Sequence, residues 1–337
     1  MSANAGSLQS KKPANATLAR WKRNFGLAVR KYASGSGVKK LIVRIFMYLL
    51  VFGMAFVFVY PFLYMITRSL MTNSDLNSST VHWLPTSLKF ENYQIALDLM
   101  KIKIYARNSL IVTVLACIGH IMSCSFIGYG FARYNFPGKK LLFMIVILAF
   151  IVPTQTIITP LYLTYNSIKW LNTYLPLVVP AYFGFGLRGA LYIFLFRQFF
   201  LTVPKSLEEA ARIDGCGFFR TYWRIVFPLA RATLVVALVL SVVWHWNDSY
   251  EPTIYVQSPG KQFLPPRIRL IIDATNALPD KQQEMLRQLG LDDGEDTLNN
   301  AVVMAGATII SAPVLLFFAF AQRQFMQGIE RSGITGE

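Results

Sequence analysis

The side chains that most often carry chemistry are few in this sequence, and their spacing does not favour catalysis. The histidines His82, His120 and His245 lie in separate segments, so no two of them share one helix face as zinc ligands would. The sequence contains neither Gly-x-Ser-x-Gly nor His-Glu-x-x-His, and it has no Gly-x-x-x-x-Gly-Lys-Ser/Thr phosphate loop. We therefore expect no catalytic activity, no metal site and no cofactor bound by this chain itself.

The most organised polar segment covers residues 203–228. The residues that define it are Pro204, Ser206, Glu208, Glu209, Ala210, Ala211, Gly215, Gly217 and Pro228. A proline followed by carboxylates is typical of the first turn of a helix, where negative charge is favourable. The two glycines predict a turn, after which a basic and aromatic second helix runs to the last proline. The alternative, an ordinary connecting loop, is disfavoured by the length and organisation of the segment.

Composition indicates the elements that must position these residues. The chain has 337 residues, of which 54% are hydrophobic and 15% charged, and its net charge is +16. A soluble domain usually carries about 25% charged residues. The combination indicates a membrane protein with basic loops, and it excludes a disordered chain. Three cysteines predict no disulfide framework. A basic nucleic-acid binder does not need long apolar runs, so no nucleic-acid partner is expected.

Uncharged runs predict six membrane-spanning helices, because a bilayer core needs about 20 consecutive apolar residues. The predicted spans are 45–66, 108–132, 141–168, 170–196, 232–247 and 297–322. Only Arg188 interrupts the fourth run. The third run contains Pro153 and Pro160, so we expect its far end to break before it crosses the bilayer. The predicted fold class is an all-α membrane protein with six transmembrane helices.

The loops differ in charge, and this difference predicts orientation. Lys and Arg number 21 on the side that holds both termini and 11 on the other side. Loops rich in Lys and Arg remain in the cytoplasm, so both termini are expected there. The sequence divides into a basic N-terminal segment 1–44, a six-span domain 45–322 and a C-terminal tail 323–337. The N-terminal segment is either an amphipathic helix in the membrane interface, in contact with lipid, or a solvated disordered tail.

The segment 203–228 carries a resemblance to a known family. Its motif is Glu209-Ala210-Ala211, three residues, Gly215, nine residues, then Ile225-x-Phe227-Pro228. This spacing resembles the EAA loop of the permeases of ATP-binding-cassette (ABC) importers, with Phe227 in place of the usual Leu. Trp83-Leu-Pro85 and the Phe-Ala-Arg-Tyr-Asn-Phe-Pro-Gly segment 131–138 are similar to features of the maltose-type carbohydrate permeases in particular.

The resemblance implies a MetI-like permease fold, with a core at about 104–322, in the cell membrane of a bacterium. It implies a second homologous permease, two ATP-binding subunits and an extracytoplasmic sugar-binding protein as partners. ATP and Mg²⁺ would be bound by the partner ATPase, and this chain would be a non-catalytic subunit. The implied ATPase-coupling residues are Glu208, Glu209, Ala210, Ala211, Asp214, Gly215, Ile225 and Pro228.

Arg188 and the end of the fifth run supply candidates for the substrate pathway of such a permease. An arginine at a bilayer centre costs about 2.5–3.5 kcal/mol on insertion scales, so such residues generally face a cavity or a partner. Arg188 either lines the pathway or lies near the outer interface, or in a structural ion pair. Trp244, Trp246 and Asn247 either stack on and hydrogen-bond a sugar or anchor the helix at the interface.

The sequence thus predicts the permease of a carbohydrate importer, with an oligosaccharide as the substrate. One alternative is an ABC importer of a non-sugar solute. Another is an ion-coupled secondary transporter, which predicts paired carboxylates inside the spans. The six predicted spans contain no acidic residue, which counts against it.

Overall fold

The computed structural model of the protein describes residues 35–80, 83–186, 188–288 and 298–333. The predicted interfacial helix of the N-terminal segment, the His82 side chain and residues 334–337 lie outside the described residues. The chain divides into two compact units, residues 1–64 and residues 65–337. Every candidate site residue named above belongs to the second unit.

All regular elements in the described ranges are helical, which confirms the all-α fold class. They are α1 (Gly35–Ser69), α2 (Asn73–Asn77), α3 (Glu91–Met100), α4 (Ile102–Arg133), α5 (Lys139–Ile151), α6 (Thr154–Ser167), α7 (Leu175–Val178), α8 (Gly189–Thr202), α9 (Ser206–Ile213), α10 (Phe218–Thr221), α11 (Phe227–Leu229), α12 (Arg231–Asn247), α13 (Tyr250–Tyr255), α14 (Ile268–Thr275), α15 (Pro279–Gln288) and α16 (Asn300–Gly333). Val179–Phe183 and Pro265–Arg267 form 3₁₀ helices, and Tyr222–Val226 forms a π-helix.

Three helices are long and apolar enough to cross a bilayer: Lys39–Ser69, Ile102–Arg133 and Asn300–Met326. Two helix pairs qualify together but are bent, by 101° between α5 and α6 and by 78° between the segment Phe218–Leu229 and α12. The described residues therefore hold three candidate spans, or up to five if each bent pair is one span. Helix α8 is apolar but shorter.

The prolines account for the breaks. Pro153 separates α5 from α6, as expected, because a proline cannot donate the helical hydrogen bond and it forces the preceding residue, Val152, into an extended conformation. Pro160 lies inside α6 without ending it. The run 170–196 is not one continuous helix. Pro176, Pro180 and the left-handed Gly184 divide it into α7, a 3₁₀ helix and α8.

Helical structure continues past both predicted ends of the six-span domain, and the division into domains stays a prediction. Helix α1 begins at Gly35, so residues 35–44 of the predicted N-terminal segment are helical and continuous with the first span. Apolar side chains along α1 are exposed, which suits contact with lipid. Helix α16 continues to Gly333, so residues 323–333 of the predicted tail are also helical.

The second unit packs around α4. Helix α8 approaches α4 closely at Gly128, where an added Cβ would lie 2.8 Å from the Phe196 Cβ and 2.9 Å from the Arg197 nitrogen. Small residues at such positions allow membrane helices to pack backbone against backbone. Helix α12 packs on α16, where the Trp246 Nε1 donates a hydrogen bond of 2.9 Å to the Ile310 carbonyl. Helix α4 ends at Arg133, beside the start of the segment 203–228.

Candidate functional site

The first candidate region is the segment 203–228, and it begins with α9. Lys205 precedes the helix, whose first turn contains Glu208 and Glu209. Ala211 is buried beneath the helix, while Glu209, Ala210 and Asp214 are exposed. On the exposed face of α9, the small side chain of Ala210 would allow another protein surface to approach the helix backbone closely.

Glu208 points to the opposite side, toward the end of α4. Its Oε1 lies 2.5 Å from the Arg133 Nε, and both side chains are largely buried, at 11% and 5% exposed. Its Oε2 accepts a hydrogen bond of 3.0 Å from the Tyr129 hydroxyl. The Arg133 Nη2 also donates to the Val203 carbonyl. Glu208 therefore contacts the chain's own helix, unlike its exposed neighbour Glu209.

A tight turn follows α9. Gly215 has φ of +76°, in the left-handed region where glycine carries no side-chain penalty. The Cys216 nitrogen donates back to the Ala211 carbonyl at 2.9 Å, which closes the turn. The expected second helix is present as α10, the π-helix and α11. Ile225 is half-buried in the π-helix, and Pro228 is exposed in α11.

The second half of the segment packs on α4 through aromatic rings. The Tyr222 ring is fully buried, and its centroid lies 5.2 Å from that of Tyr129. The Tyr222 hydroxyl forms a hydrogen bond of 2.8 Å with the Ser125 Oγ. Phe218 stacks on Tyr129 at 5.8 Å. Both halves of the segment are therefore attached to the same helix.

Sequence reasoning missed these α4 partners. Ser125, Tyr129 and Arg133 recur at four-residue intervals, so they share one face of α4. That spacing, in a helix which ends beside a basic loop, was the available signal. It does not by itself identify Glu208 and Tyr222 as the residues on the other side.

The second candidate region is a cavity of about 660 Å³ in the second unit. It is bounded by α4, α5, the break at Pro153, the segment before α8, and the ends of α12 and α13. Its polar lining includes His120, Gln155, Arg188, His245, Asp248 and Glu251. This volume lies within the range of small-molecule sites, and the mixture of donors and acceptors suits a ligand that can hydrogen-bond in both directions.

Arg188 lines this cavity. It precedes α8 with φ of +65°, a left-handed conformation that is uncommon for a residue other than glycine. Its guanidinium carbon lies 5.1 Å from the Trp244 ring centroid and 6.0 Å from that of Phe150. In the described ranges no carboxylate lies within 4 Å of Arg188. Its guanidinium therefore lies near two aromatic rings at the cavity wall, with no carboxylate partner among the described residues.

The other three residues predicted for the pathway are placed differently. Trp244 contacts Arg188, which lines the cavity, but its own side chain is not among the described residues of the lining. Trp246 is buried and directed toward α16, where it donates to the Ile310 carbonyl. Asn247 is exposed and its Nδ2 donates to the Val243 carbonyl of its own helix at 2.8 Å. Trp246 and Asn247 are likewise absent from the described side chains that line the cavity.

The fold also brings together two histidines that the sequence separates. The rings of His120 on α4 and His245 on α12 lie 5.1 Å apart, and both line the cavity. Over the part of the chain that the structure describes, no group of three or more His, Cys, Asp or Glu side chains is placed to hold a metal ion. The pair therefore adds hydrogen-bonding groups to the cavity wall.

Two carboxylates beyond the end of α12 complete the cavity. Burial, together with the nearby Asp248 carboxylate, raises the pKa of Glu251 to about 7. Burial also raises the pKa of Asp248, although the backbone amides of Tyr250 and Glu251 oppose this by donating to its carboxylate. Near neutral pH, Glu251 exchanges between a protonated form that donates and an ionised form that only accepts.

Comparison with known proteins gives both regions a context. Residues 124–331 match the family of binding-protein-dependent transport system inner membrane components. The chain is 30% identical over 290 residues to a probable starch degradation products transport system permease protein (AmyC) of Thermoanaerobacterium thermosulfurigenes, a match that covers 85% of this chain and 96% of the relative. It is 25% identical to the arabinooligosaccharides transport system permease protein AraQ of Halalkalibacterium halodurans, over 84% of this chain and 93% of the relative.

A solved structure has a similar fold. It is a bacterial ABC transporter involved in the import of the acidic polysaccharide alginate, and one of its chains superposes with a TM-score of 0.69 at 20% sequence identity. The match covers 85% of this chain and 98% of that chain. The family match includes the segment 203–228 and most of the residues around the cavity. The chain therefore belongs to the family of binding-protein-dependent transport system inner membrane components, the permease subunits of ABC transporters.

Proposed function

We propose that this chain is the permease subunit of an ATP-driven importer and forms half of the translocation pathway for an oligosaccharide. The observation that carries the proposal is the combination of an exposed helical segment, suited to docking, with a polar cavity in one membrane-embedded unit. The relatives described above are permeases for starch degradation products and arabinooligosaccharides, which supports a carbohydrate substrate. A secondary transporter or a non-sugar importer is less consistent with these relatives.

The exposed face of the segment 203–228 is the proposed docking surface for the ATPase. It contains Glu209, Ala210, Asp214 and Gly215, and next to them Ile213 is 87% exposed. Exposing an apolar side chain to water is unfavourable, and a partner that covers Ile213 would remove this cost. In this arrangement the carboxylates orient the contact and Ile213 contributes buried area.

The cavity is the proposed part of the pathway that contacts the sugar. Arg188 donates to sugar oxygens, Trp244 holds its guanidinium in place, and Asp248 and Glu251 accept from sugar hydroxyls. Hydroxyl groups both donate and accept, so one saccharide satisfies the cationic and the acidic parts of the lining together. Trp246 and Asn247 instead stabilise the end of α12 through their hydrogen bonds, and this helix end positions Asp248 and Glu251.

The proposed assembly contains a second homologous permease, two ATP-binding subunits and an extracytoplasmic sugar-binding protein. ATP and Mg²⁺ are bound by the ATP-binding subunits. Both termini and the segment 203–228 face the cytoplasm, in agreement with the excess of Lys and Arg in those segments. The three long helices and the two bent pairs account for five spans, and α8 with the segment before it is the proposed sixth.

The test is purification of the intact complex, reconstitution in liposomes and measurement of ATP hydrolysis with loaded binding protein. The panel contains neutral oligosaccharides, acidic oligosaccharides and non-sugar solutes. We expect stimulation and uptake with an oligosaccharide only. Stimulation by a non-sugar solute alone would overturn the substrate assignment, and purification of the chain without any ATPase would overturn the coupling assignment.

A further inference from the structure

The contacts of Glu208 differ from those of the rest of the proposed docking surface. Its two carboxylate oxygens are directed at two different groups of α4, the Arg133 Nε at 2.5 Å and the Tyr129 hydroxyl at 3.0 Å. With only 11% of its side chain exposed, Glu208 is not available to a partner as Glu209 is. A carboxylate with this surrounding is committed to its own chain.

Arg133 extends the connection to the start of the segment. Its Nη2 donates to the Val203 carbonyl while its Nε faces Glu208, so one side chain holds both the entrance to α9 and its first turn. Arg133 is the last residue of α4, and Tyr129 lies one helical turn before it. Largely buried charged groups with several partners are held in one geometry, because any displacement leaves a charge without compensation.

Helix α4 continues from this point to the cavity. Ser125 on the same face forms a hydrogen bond with Tyr222, and Ile127 and, further along, His120 line the cavity wall. From Arg133 to His120 the helix rises about 20 Å, at about 1.5 Å per residue. A continuous helix transmits an axial displacement along its length, whereas a loop would absorb it. A displacement of α9 therefore reaches His120 through a single element.

We propose that Glu208, Arg133 and Tyr129 form a link, here called the α9–α4 link, through which movement of the docked segment is passed to the cavity wall. Glu208 is a positioning residue in this link, and Glu209 contacts the ATPase. The proposal rests on the proposed function. It assigns different roles to two adjacent carboxylates: Glu208 acts within the subunit, and Glu209 acts between subunits.

The test compares Glu208→Gln with Glu209→Gln in the reconstituted complex, and the readout is sugar transported per ATP hydrolysed. Glu208→Gln keeps the size and planar shape of the side chain but removes its charge and replaces one acceptor oxygen with an NH2 donor. We expect this ratio to fall about tenfold, within the usual range for coupling between sites, while ATP hydrolysis continues. Glu209→Gln is expected instead to weaken association with the ATPase. The control is Asp280→Asn on the exposed surface of α15, outside both the docking surface and the link, and its ratio should equal that of the wild type.

A double variant distinguishes the link from separate structural effects. Arg133→Gln with Glu208→Gln should lower the ratio no further than either single change, because both remove the same connection. If Glu208→Gln prevents assembly, Tyr129→Phe removes only one hydroxyl from the link and is expected to lower the ratio about twofold to fivefold. An unchanged ratio in the assembled Glu208→Gln complex, or in Tyr129→Phe where that variant replaces it, would overturn the link. Wild-type complex that transports no sugar would instead overturn the proposed function.

Discussion

At the scale of single residues, the two regions use charge in different ways. The segment 203–228 pairs its largely buried carboxylate, Glu208, with the guanidinium of Arg133. The cavity leaves Arg188 and Glu251 without an ion pair among the described residues. Charged groups without a partner are costly to hold in a partly buried site, which is typical of positions kept for a ligand.

Arg188 is the residue whose removal should affect transport most directly. Arg188→Ala should lower the apparent affinity for sugar in uptake about 10- to 100-fold, because a hydrogen bond to a charged group contributes about 1.5–3 kcal/mol. Arg188→Lys keeps the charge but loses the planar fork, so we expect an intermediate result. Uptake is measured at matched expression in membrane vesicles. Uptake by Arg188→Ala equal to that of the wild type would remove Arg188 from the pathway.

The raised pKa of Glu251 leads to a prediction about how stability depends on pH. Its carboxyl ionises above its ordinary pKa of 4.5 in the unfolded chain, but only above about 7 in the folded protein. The folded protein is therefore penalised progressively as pH rises from 4.5 to 7, by on the order of 3 kcal/mol at pH 8. Glu251→Gln removes this penalty, so its Tm relative to the wild type should be higher at pH 8 than at pH 5.

This measurement uses the purified complex in detergent, with Asp280→Asn on the exposed surface of α15 as the control. The control should give the same difference in Tm at both pH values. If Glu251→Gln also gave the same difference at pH 5 and pH 8, the burial of Glu251 would not control its ionisation.

At the scale of elements, turns and breaks decide where the helices point. Pro153 bends the pair α5 and α6 by 101°, and this bend opens one wall of the cavity. Gly215 reverses the chain after α9 so that α10 and the π-helix return to α4. These are backbone effects, which depend on φ more than on side-chain contacts.

The two glycines of the segment provide a matched test of this turn. Neither would have a neighbour within 4 Å of an added Cβ, but Gly215 has φ of +76° and Gly217 has φ of −71°. Gly215→Val should destabilise the turn by at least about 1–2 kcal/mol, the cost of the left-handed conformation, and reduce recovery of the ATPase with the permease. Gly217→Val should recover it normally. Equal recovery by both variants would mean that the turn is not required for docking.

Element boundaries also show how far sequence reasoning reaches. The break at Pro153 and the helix–turn–helix of 203–228 were predictable, because proline, glycine and carboxylate positions act locally. The division of 170–196 into α7, a 3₁₀ helix and α8 was not predicted, because the run was defined by hydropathy alone, which registers neither its prolines nor the left-handed Gly184. The predicted sixth span ends at residue 322, where the uncharged run ends, whereas helix α16 continues to Gly333, because charge limits a span but does not end a helix.

At the scale of the whole molecule, the distribution of charge predicts the orientation in the membrane. The segments assigned to the cytoplasm carry 21 Lys and Arg, against 11 in the opposite segments. A polybasic side is retained by the cytoplasmic face, where the lipid surface is negative. The same assignment places the segment 203–228 where an ATPase can reach it.

The native cysteines allow this orientation to be tested without introducing new cysteines. Cys117 and Cys124 are buried in α4, whereas Cys216 is partly accessible in the turn after α9. A membrane-impermeant maleimide should label the protein in inside-out vesicles but not in intact cells or right-side-out vesicles, and Cys216→Ser should abolish labelling. Labelling of Cys216 from outside would invert the predicted topology.

The sequence by itself determined the class of molecule. Long uncharged runs, the basic excess and the spacing from Glu209 to Pro228 are properties of neighbouring residues, so they could be recognised without coordinates. Tertiary structure alone decided which polar groups meet. Glu208 and Tyr129 are 79 residues apart, and His120 and His245 belong to different helices. Such contacts depend on how helices pack and bend, and the hydrophobic pattern that forms each helix does not specify its partner.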